Sequence, residues 1–145
     1  EKITAYKTAD ESVTSSATLQ DDDHLSVTLV ANTKYFFKFS LFSNNVTSVE
    51  GIRLSVNGTA TNTSLKAQIS IWDESLNTLS GFARITSFGS AVASGNASGV
   101  GYNEIEGTIE VGATGGTFKL QWAQNVSGAN ATTIQRNSSL VVQKF

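Results

Sequence analysis

The stretch Lys34–Phe42 constrains this chain most. Tyr35, Phe37, Phe39 and Leu41 occupy alternate positions, so an extended backbone turns all four to one side. Phe36, Lys38, Ser40 and Phe42 turn to the other. One face is wholly apolar and the other half so, as in a central strand or one shared with a partner. No window shows a 3.6-residue apolar period, which argues against amphipathic helices. Polarity comes from 19 Ser, 17 Thr, 11 Asn and 12 Gly, with only 15% charged residues. Thr favours strands, while Asn, Gly and Ser favour turns. Proline is absent, so the turns must rest on Gly and Asn.

The alternation recurs along the chain. Strands are predicted at Ser12–Leu19, Leu25–Val30, Lys34–Phe42, Gly51–Val56, Leu65–Trp72, Phe82–Phe88, Tyr102–Val111, Thr117–Gln124 and Ser139–Phe145. Asn57-Gly58 carries the strongest two-residue hairpin signal. Residues 89–101 read as a flexible Gly/Ser/Ala loop, and 125–138 as a polar connection. These features predict an all-β, antiparallel sandwich of about eight strands, jelly-roll-like, in which 1–24 form an extended N-terminal arm and 25–145 the sandwich. A chain of 15.3 kDa should fold to roughly 7,000 Å² of surface, enough burial for a core without staples. None is available, because there is no cysteine.

Several function classes fall away. The net charge is −2 with scattered Lys and Arg, so there is no basic stripe for nucleic acid. No apolar run is long enough for a membrane-spanning helix. Without cysteine there is no thiolate metal site.

Individual candidates are weak. His24 is the single histidine, and no Gly-x-Ser-x-Gly turn accompanies it as a nucleophile. Asp21-Asp22-Asp23 lacks calcium-loop spacing, and neighbouring carboxylates on an extended chain diverge; a capping, turn or charge-contact role is favoured. Trp122 shares the parity of Phe118 and Leu120 and belongs to the core. Trp72 has the parity opposite to Ile69 and Ile71 and is the better candidate for an exposed ring that stacks a sugar. Asn-x-Ser/Thr occurs at Asn45, Asn57, Asn62, Asn96, Asn125, Asn130 and Asn137, which the Asn, Ser and Thr bias accounts for. Gly95, Gly99 and Gly101 lack phosphate-loop spacing. Glu104 and Glu106 share a strand face that reads as solvated, not as a paired acid and base. The expectation is no catalytic, cofactor-binding or metal residues.

Two stretches look familiar. One is Ser16-Ala-Thr-Leu-Gln-Asp-Asp-Asp-His-Leu25 with Ala31-Asn-Thr-Lys-Tyr-Phe36; the other is Gly116-Thr-Phe-Lys-Leu-Gln-Trp-Ala-Gln124, leading to Ser139-Leu140. This layout resembles tailed-bacteriophage virion proteins whose jelly-roll domains serve as capsid decoration (cement) proteins or tail-fibre modules, often as trimers in the manner of tumour necrosis factor-like sandwiches. The resemblance implies a non-enzymatic protein on the capsid surface of a virion, bound to the major capsid protein, without nucleic-acid or membrane partners. The alternative it implies is a tail-fibre or receptor-binding module that recognises host glycans. On the decoration reading, Phe36 and Phe42 are expected to anchor a homotrimer contact.

Overall fold

The fold was obtained as a computed structural model, which describes residues 1–73, 77–94 and 99–145, Ser94 by its backbone alone. Twelve strands are present among them: β1 (Lys2–Tyr6), β2 (Glu11–Val13), β3 (Gln20–Leu29), β4 (Lys34–Asn45), β5 (Ile52–Asn57), β6 (Asn62–Asp73), β7 (Thr78–Ile85), β8 (Ala91–Ser94), β9 (Gly99–Val111), β10 (Gly116–Ala123), β11 (Thr132–Ile134) and β12 (Ser139–Lys144). All pairings are antiparallel.

The topology follows from nesting. β6 pairs with β7, β5 with β8, β4 with β9 and β3 with β10. The middle of the chain is thus one long antiparallel ribbon. It folds over so that β5 also pairs with β10, and β6 with β9. The result is two sheets, β3-β10-β5-β8 and β4-β9-β6-β7, the eight strands of a jelly roll. The remaining four strands extend the second sheet. β12 and β11 lie end to end along β4, and β1 and β2 continue outward from them.

Period-two patterning explains the layers. In β4 the residues Tyr35, Phe37, Phe39 and Leu41 are buried. Opposite them, Leu25, Val27 and Leu29 of β3, Ile52, Leu54 and Val56 of β5, and Phe118, Leu120 and Trp122 of β10 face inward, all buried. Phe37 and Phe39 meet Phe118 across the two sheets at ring-centre distances of 4.8 and 5.7 Å. The folded chain exposes 6675 Å², close to the expectation from size.

Several expected boundaries move. Residues 1–24 are extended, but they lie along the sandwich: β1 and β2 belong to the larger sheet, and β3 runs through residue 24. The predicted strand Ser12–Leu19 is replaced by the short β2, with 14–19 outside any strand. The expected loop 89–101 contains β8 and the start of β9, with 95–98 outside the described residues. The polar segment 125–138 holds β11.

Asn57-Gly58 is not a hairpin. β5 and β6 lie in different sheets, so the pair sits where the chain crosses between layers. Neither residue has a positive φ. Gly58 is required for a different reason: a Cβ there would lie 2.0 Å from the Thr117 carbonyl oxygen, a backbone atom that cannot step aside. Gly58→Ala should therefore destabilise the fold by about 1–3 kcal/mol, the usual cost of an overpacked site. The urea unfolding midpoint checks this, and an unchanged midpoint would contradict it.

Candidate functional site

Two places gather unusual side chains: a buried ionic cluster beside β3, and the outer face of the larger sheet.

The cluster begins with a bulge. β3 and β10 lose register between Lys119 and Gln121, so that β3 spends residues 22–25 opposite Leu120 alone. The surplus backbone is satisfied by Asp22, whose Oδ1 accepts from the N–H groups of His24 and Leu25 at 2.9 and 2.8 Å. This is the turn-and-cap role favoured for the aspartate run. The other oxygen, Oδ2, accepts from the Lys7 ammonium at 2.7 Å and the Trp122 indole N–H at 3.2 Å. Four donors thus fill the four acceptor positions of one carboxylate. Its neighbours diverge, as expected of an extended chain: Asp21 and Asp23 are exposed.

Lys7 is fully buried. Its ammonium also donates to Glu11 Oε1 at 2.9 Å and faces His24 Nδ1 at 3.5 Å. An ammonium has donors only. An Nδ1 that accepts from this ammonium leaves Nε2 to face the Thr8 hydroxyl at 3.2 Å. Glu11 further accepts from the Gln20 side chain and the Asp23 N–H. Sequence reading missed Lys7. The one signal available was the Trp122 indole, which needs an acceptor when buried.

Ligand atoms of Glu11, Asp22 and His24 lie within 4.8 Å of one another, a spacing that could suit a metal ion. The position they converge on is filled by the chain's own Lys7 ammonium. The cluster is better understood as a clasp that ties the loop between β1 and β2 to β3 and β10. His24 Nε2 meets the Thr8 hydroxyl at 3.2 Å, while Nδ1 faces the Lys7 ammonium and not an orienting carboxylate.

The outer face of the larger sheet is the second place. Partners across antiparallel strands share a face. Phe42 of β4 stands opposite Tyr102 of β9, Ile71 of β6 opposite Asn103 of β9, and Trp72 of β6 opposite Leu79 of β7. Phe42, Tyr102, Trp72 and Leu79 therefore form one row across four strands. The rings of Phe42 and Tyr102 are 5.2 Å apart. Trp72 is 41% exposed, Leu79 42%, Phe42 39% and Phe36 40%, with Phe82 and Val100 also exposed on this face. Trp72 thus lies outward and Trp122 in the core, as their parities predict.

One lysine on this face is paired with two glutamates. Lys38 reaches Glu104 at 3.4 Å and Glu106 at 3.8 Å. The Glu104 charge, and its hydrogen bond, hold the Lys38 ammonium above its ordinary pKa. The small stabilisation this implies is complete at neutral pH and lost as pH rises through the raised value. Both glutamates stand on the solvated face with this lysine, as their alternation suggested.

The smaller sheet differs. Its outward residues are Ser26 and Thr28 on β3, Thr117, Lys119 and Gln121 on β10, and Arg53 and Asn57 on β5, with Ser55 buried beside them and the small Ala91 and Ala93 outward on β8. Asp21 bonds to Lys119, and to Gln121 at 2.8 Å. The Lys119 bond, then the Gln121 bond, keep the Asp21 carboxyl below its ordinary pKa. That contribution is present at neutral pH and lost as acid takes the group through its lowered value.

No protein-family model matches the chain, and no curated protein matches it. Among solved structures it is similar to the particle of infectious bursal disease virus Gx strain, at 13% identity and TM-score 0.25, covering 98% of this chain and 38% of that one. The infectious bursal disease virus VP2 subviral particle gives 14% and 0.26, covering 98% and 39%. The T13 particle of that virus gives 12% and 0.29, covering 100% and 40%. The chain thus spans about two-fifths of the length of those chains. At these TM-scores there is no common superposition, and neither fold nor role follows from them.

Replacing Lys7 with alanine leaves the buried Asp22 carboxylate and the partly buried Glu11 without their cation. Loss of one partner from a buried ion pair costs about 3–5 kcal/mol, so Lys7→Ala should lower the denaturant midpoint sharply, while saturating calcium or zinc should leave the melting temperature of the unaltered protein unchanged. A thermal shift with either metal would show that the ammonium does not hold that position.

Proposed function

We propose that this chain is a non-enzymatic structural protein of a virion, a capsid decoration protein that stabilises the icosahedral shell by binding major capsid subunits as a homotrimer. The observation that carries the reading is the asymmetry of the two outer faces. The smaller sheet turns polar residues outward on β3, β10 and β5, and the small Ala91 and Ala93 on its edge strand β8. The larger sheet turns out Phe36, Phe42, Trp72, Leu79, Phe82 and Val100. Exposed rings standing side by side, as in the row Phe42, Tyr102, Trp72 and Leu79, mark a docking surface, with Phe36 on the far side of the Lys38, Glu104 and Glu106 charges.

Further support comes from the stretches that resemble phage virion proteins. They supply residues 20–25 of β3, the start of β4 and all of β10, with Ser139-Leu140 opening β12 beside β4. The resemblance therefore falls on the paired framework of the sandwich. Phe36 and Phe42 lie on β4, near the middle of the larger sheet, where a symmetric contact would bury most surface.

A second reading, a tail-fibre or receptor-binding module for host glycans, is favoured by the aromatic row of Phe42, Tyr102 and Trp72.

Sizing by light scattering tests the trimer. The purified protein should have three times the mass of the chain at micromolar concentration. Phe36→Ala and Phe42→Ala should dissociate it with little change in the unfolding midpoint, because both rings are half exposed in the single chain. A monomer in the unaltered protein contradicts the homotrimer.

A further inference from the structure

The clasp holds a nucleophile, a proton acceptor and an electrophile in contact. Lys7 Nζ lies 2.7 Å from Asp22 Oδ2 and 2.9 Å from Glu11 Oε1. The side chains of Lys7 and Asp22 are both shut away from water. We propose that Lys7 and Asp22 join through a side-chain amide bond, formed within the folded chain with Glu11 as the proton carrier. The inference goes beyond the shell reading and does not depend on it. The bond forms once per chain and is no enzymatic turnover.

The atoms balance without an outside reagent. The Lys7 ammonium passes one proton to Glu11 Oε1, which frees the nitrogen lone pair, and the amine attacks Asp22 Cγ, one bond beyond Oδ2. A second proton leaves the nitrogen as the C–N bond forms. Both protons are delivered to Oδ2, one of them by way of Glu11, and the Cγ–Oδ2 bond breaks to release water. An ammonium and a carboxylate thus become an amide and one water, and Glu11 ends as it began. A lysine amine acts as a nucleophile where an adjacent base relieves it of its proton. Negative charge that builds on Oδ1 during the attack falls between the backbone N–H groups of His24 and Leu25, at 2.9 and 2.8 Å. Two aimed amide donors are the arrangement that stabilises such an oxyanion. The Trp122 indole N–H, 3.2 Å from Oδ2, supports the departing oxygen.

Position favours the reaction. Well-oriented groups held in contact reach effective concentrations of about 10⁵–10⁸ M, and burial withholds the water that would reverse the step. All three groups are pinned. The Lys7 N–H donates to the Ser138 carbonyl at 2.8 Å and the Asn137 N–H to the Lys7 carbonyl at 2.9 Å, so the lysine cannot withdraw. Glu11 is held by the Gln20 side chain at 3.1 Å and the Asp23 N–H at 3.0 Å. The product suits the same partners: its carbonyl oxygen is Oδ1, which keeps both backbone donors, and its N–H faces Glu11. The bond closes residues 7–22 into a ring. It joins the segment after β1, in the larger sheet, to β3 in the smaller one. In a chain without cysteine this is the available covalent staple, and a staple stabilises by restricting the unfolded chain.

Mass spectrometry of the purified full chain gives the test. The intact mass should fall below the sequence mass by one water. Cleavage after glutamate separates residues 1–11 from 12–50. After denaturation and digestion these two peptides should remain joined, and fragmentation should place the link between Lys7 and Asp22. The location is needed because cyclisation of Glu1 also loses water. Lys7→Arg keeps the cation but not the amine, and should give two separate peptides. Glu11→Gln keeps the shape of the carrier but cannot take the proton. It should fold with an unchanged circular dichroism spectrum and be recovered chiefly unlinked, since acid–base help of this kind is worth about 10²–10⁴-fold in rate. Separate peptides of full mass from the unaltered folded protein would overturn the proposal. Complete linkage in a folded Glu11→Gln chain would overturn the part given to Glu11. Neither result depends on where the chain sits on a particle or on its oligomeric mass.

Discussion

The contact of Phe37 and Phe39 with Phe118 is the interaction on which the rest of the structure depends. It joins the middle strand of the larger sheet to the middle of the smaller one. Each tilted or edge-on ring pair adds about 0.5–1.5 kcal/mol beyond the area it buries. More important is its position. The long ribbon of nested strands can bury its apolar face only by folding over, and these rings lie where the two halves close. Once they meet, the inner faces of β3, β5 and β10 are committed to the core. Every side chain of opposite parity is then committed to the outside. The polar face of the smaller sheet and the aromatic face of the larger one are two results of that single closure.

The buried clasp works on a different principle. Taking Lys7, Asp22 and Glu11 out of water is costly, and their mutual attraction offsets that cost only with good geometry and filled hydrogen-bond positions. Both conditions hold at Asp22, with four donors. Such a cluster specifies arrangement more than it adds stability. It fixes which part of the N-terminal segment lies against the β3 bulge, and so sets where β1 and β2 enter the larger sheet.

Much of the fold was legible in the sequence, for a physical reason. A strand buried on one face must alternate, and β4, β5, β6, β9 and β10 do. The parity of Trp72 and Trp122 placed one ring outside and the other in the core for the same reason. The short strands were harder. β2 and β11 have three residues each, too few to show a period. β8 lies in a Gly- and Ser-rich stretch whose composition reads as loop. Asn57-Gly58 misled because local turn chemistry cannot distinguish a hairpin from a crossing between layers, and at Gly58 the requirement is a close backbone approach from residue 117, distant in sequence. The aromatic row was half visible. Each strand showed its outward ring, but which rings stand side by side depends on register, which only the pairing of β4, β9, β6 and β7 supplies. Lys7 was hard to see, because nothing in a polar extended segment marks one lysine as buried and the Trp122 indole points only to its acceptor, Asp22.

The central claim is that the larger sheet's outer face meets partners on a viral shell. Cryo-electron microscopy of the particle that carries this chain tests it most directly. Density for the sandwich on the icosahedral shell, in threefold groups with the Phe36 and Phe42 face turned inward to the contact, is the predicted result. Density confined to the tail, or sandwiches standing singly with that face in solvent, would contradict it.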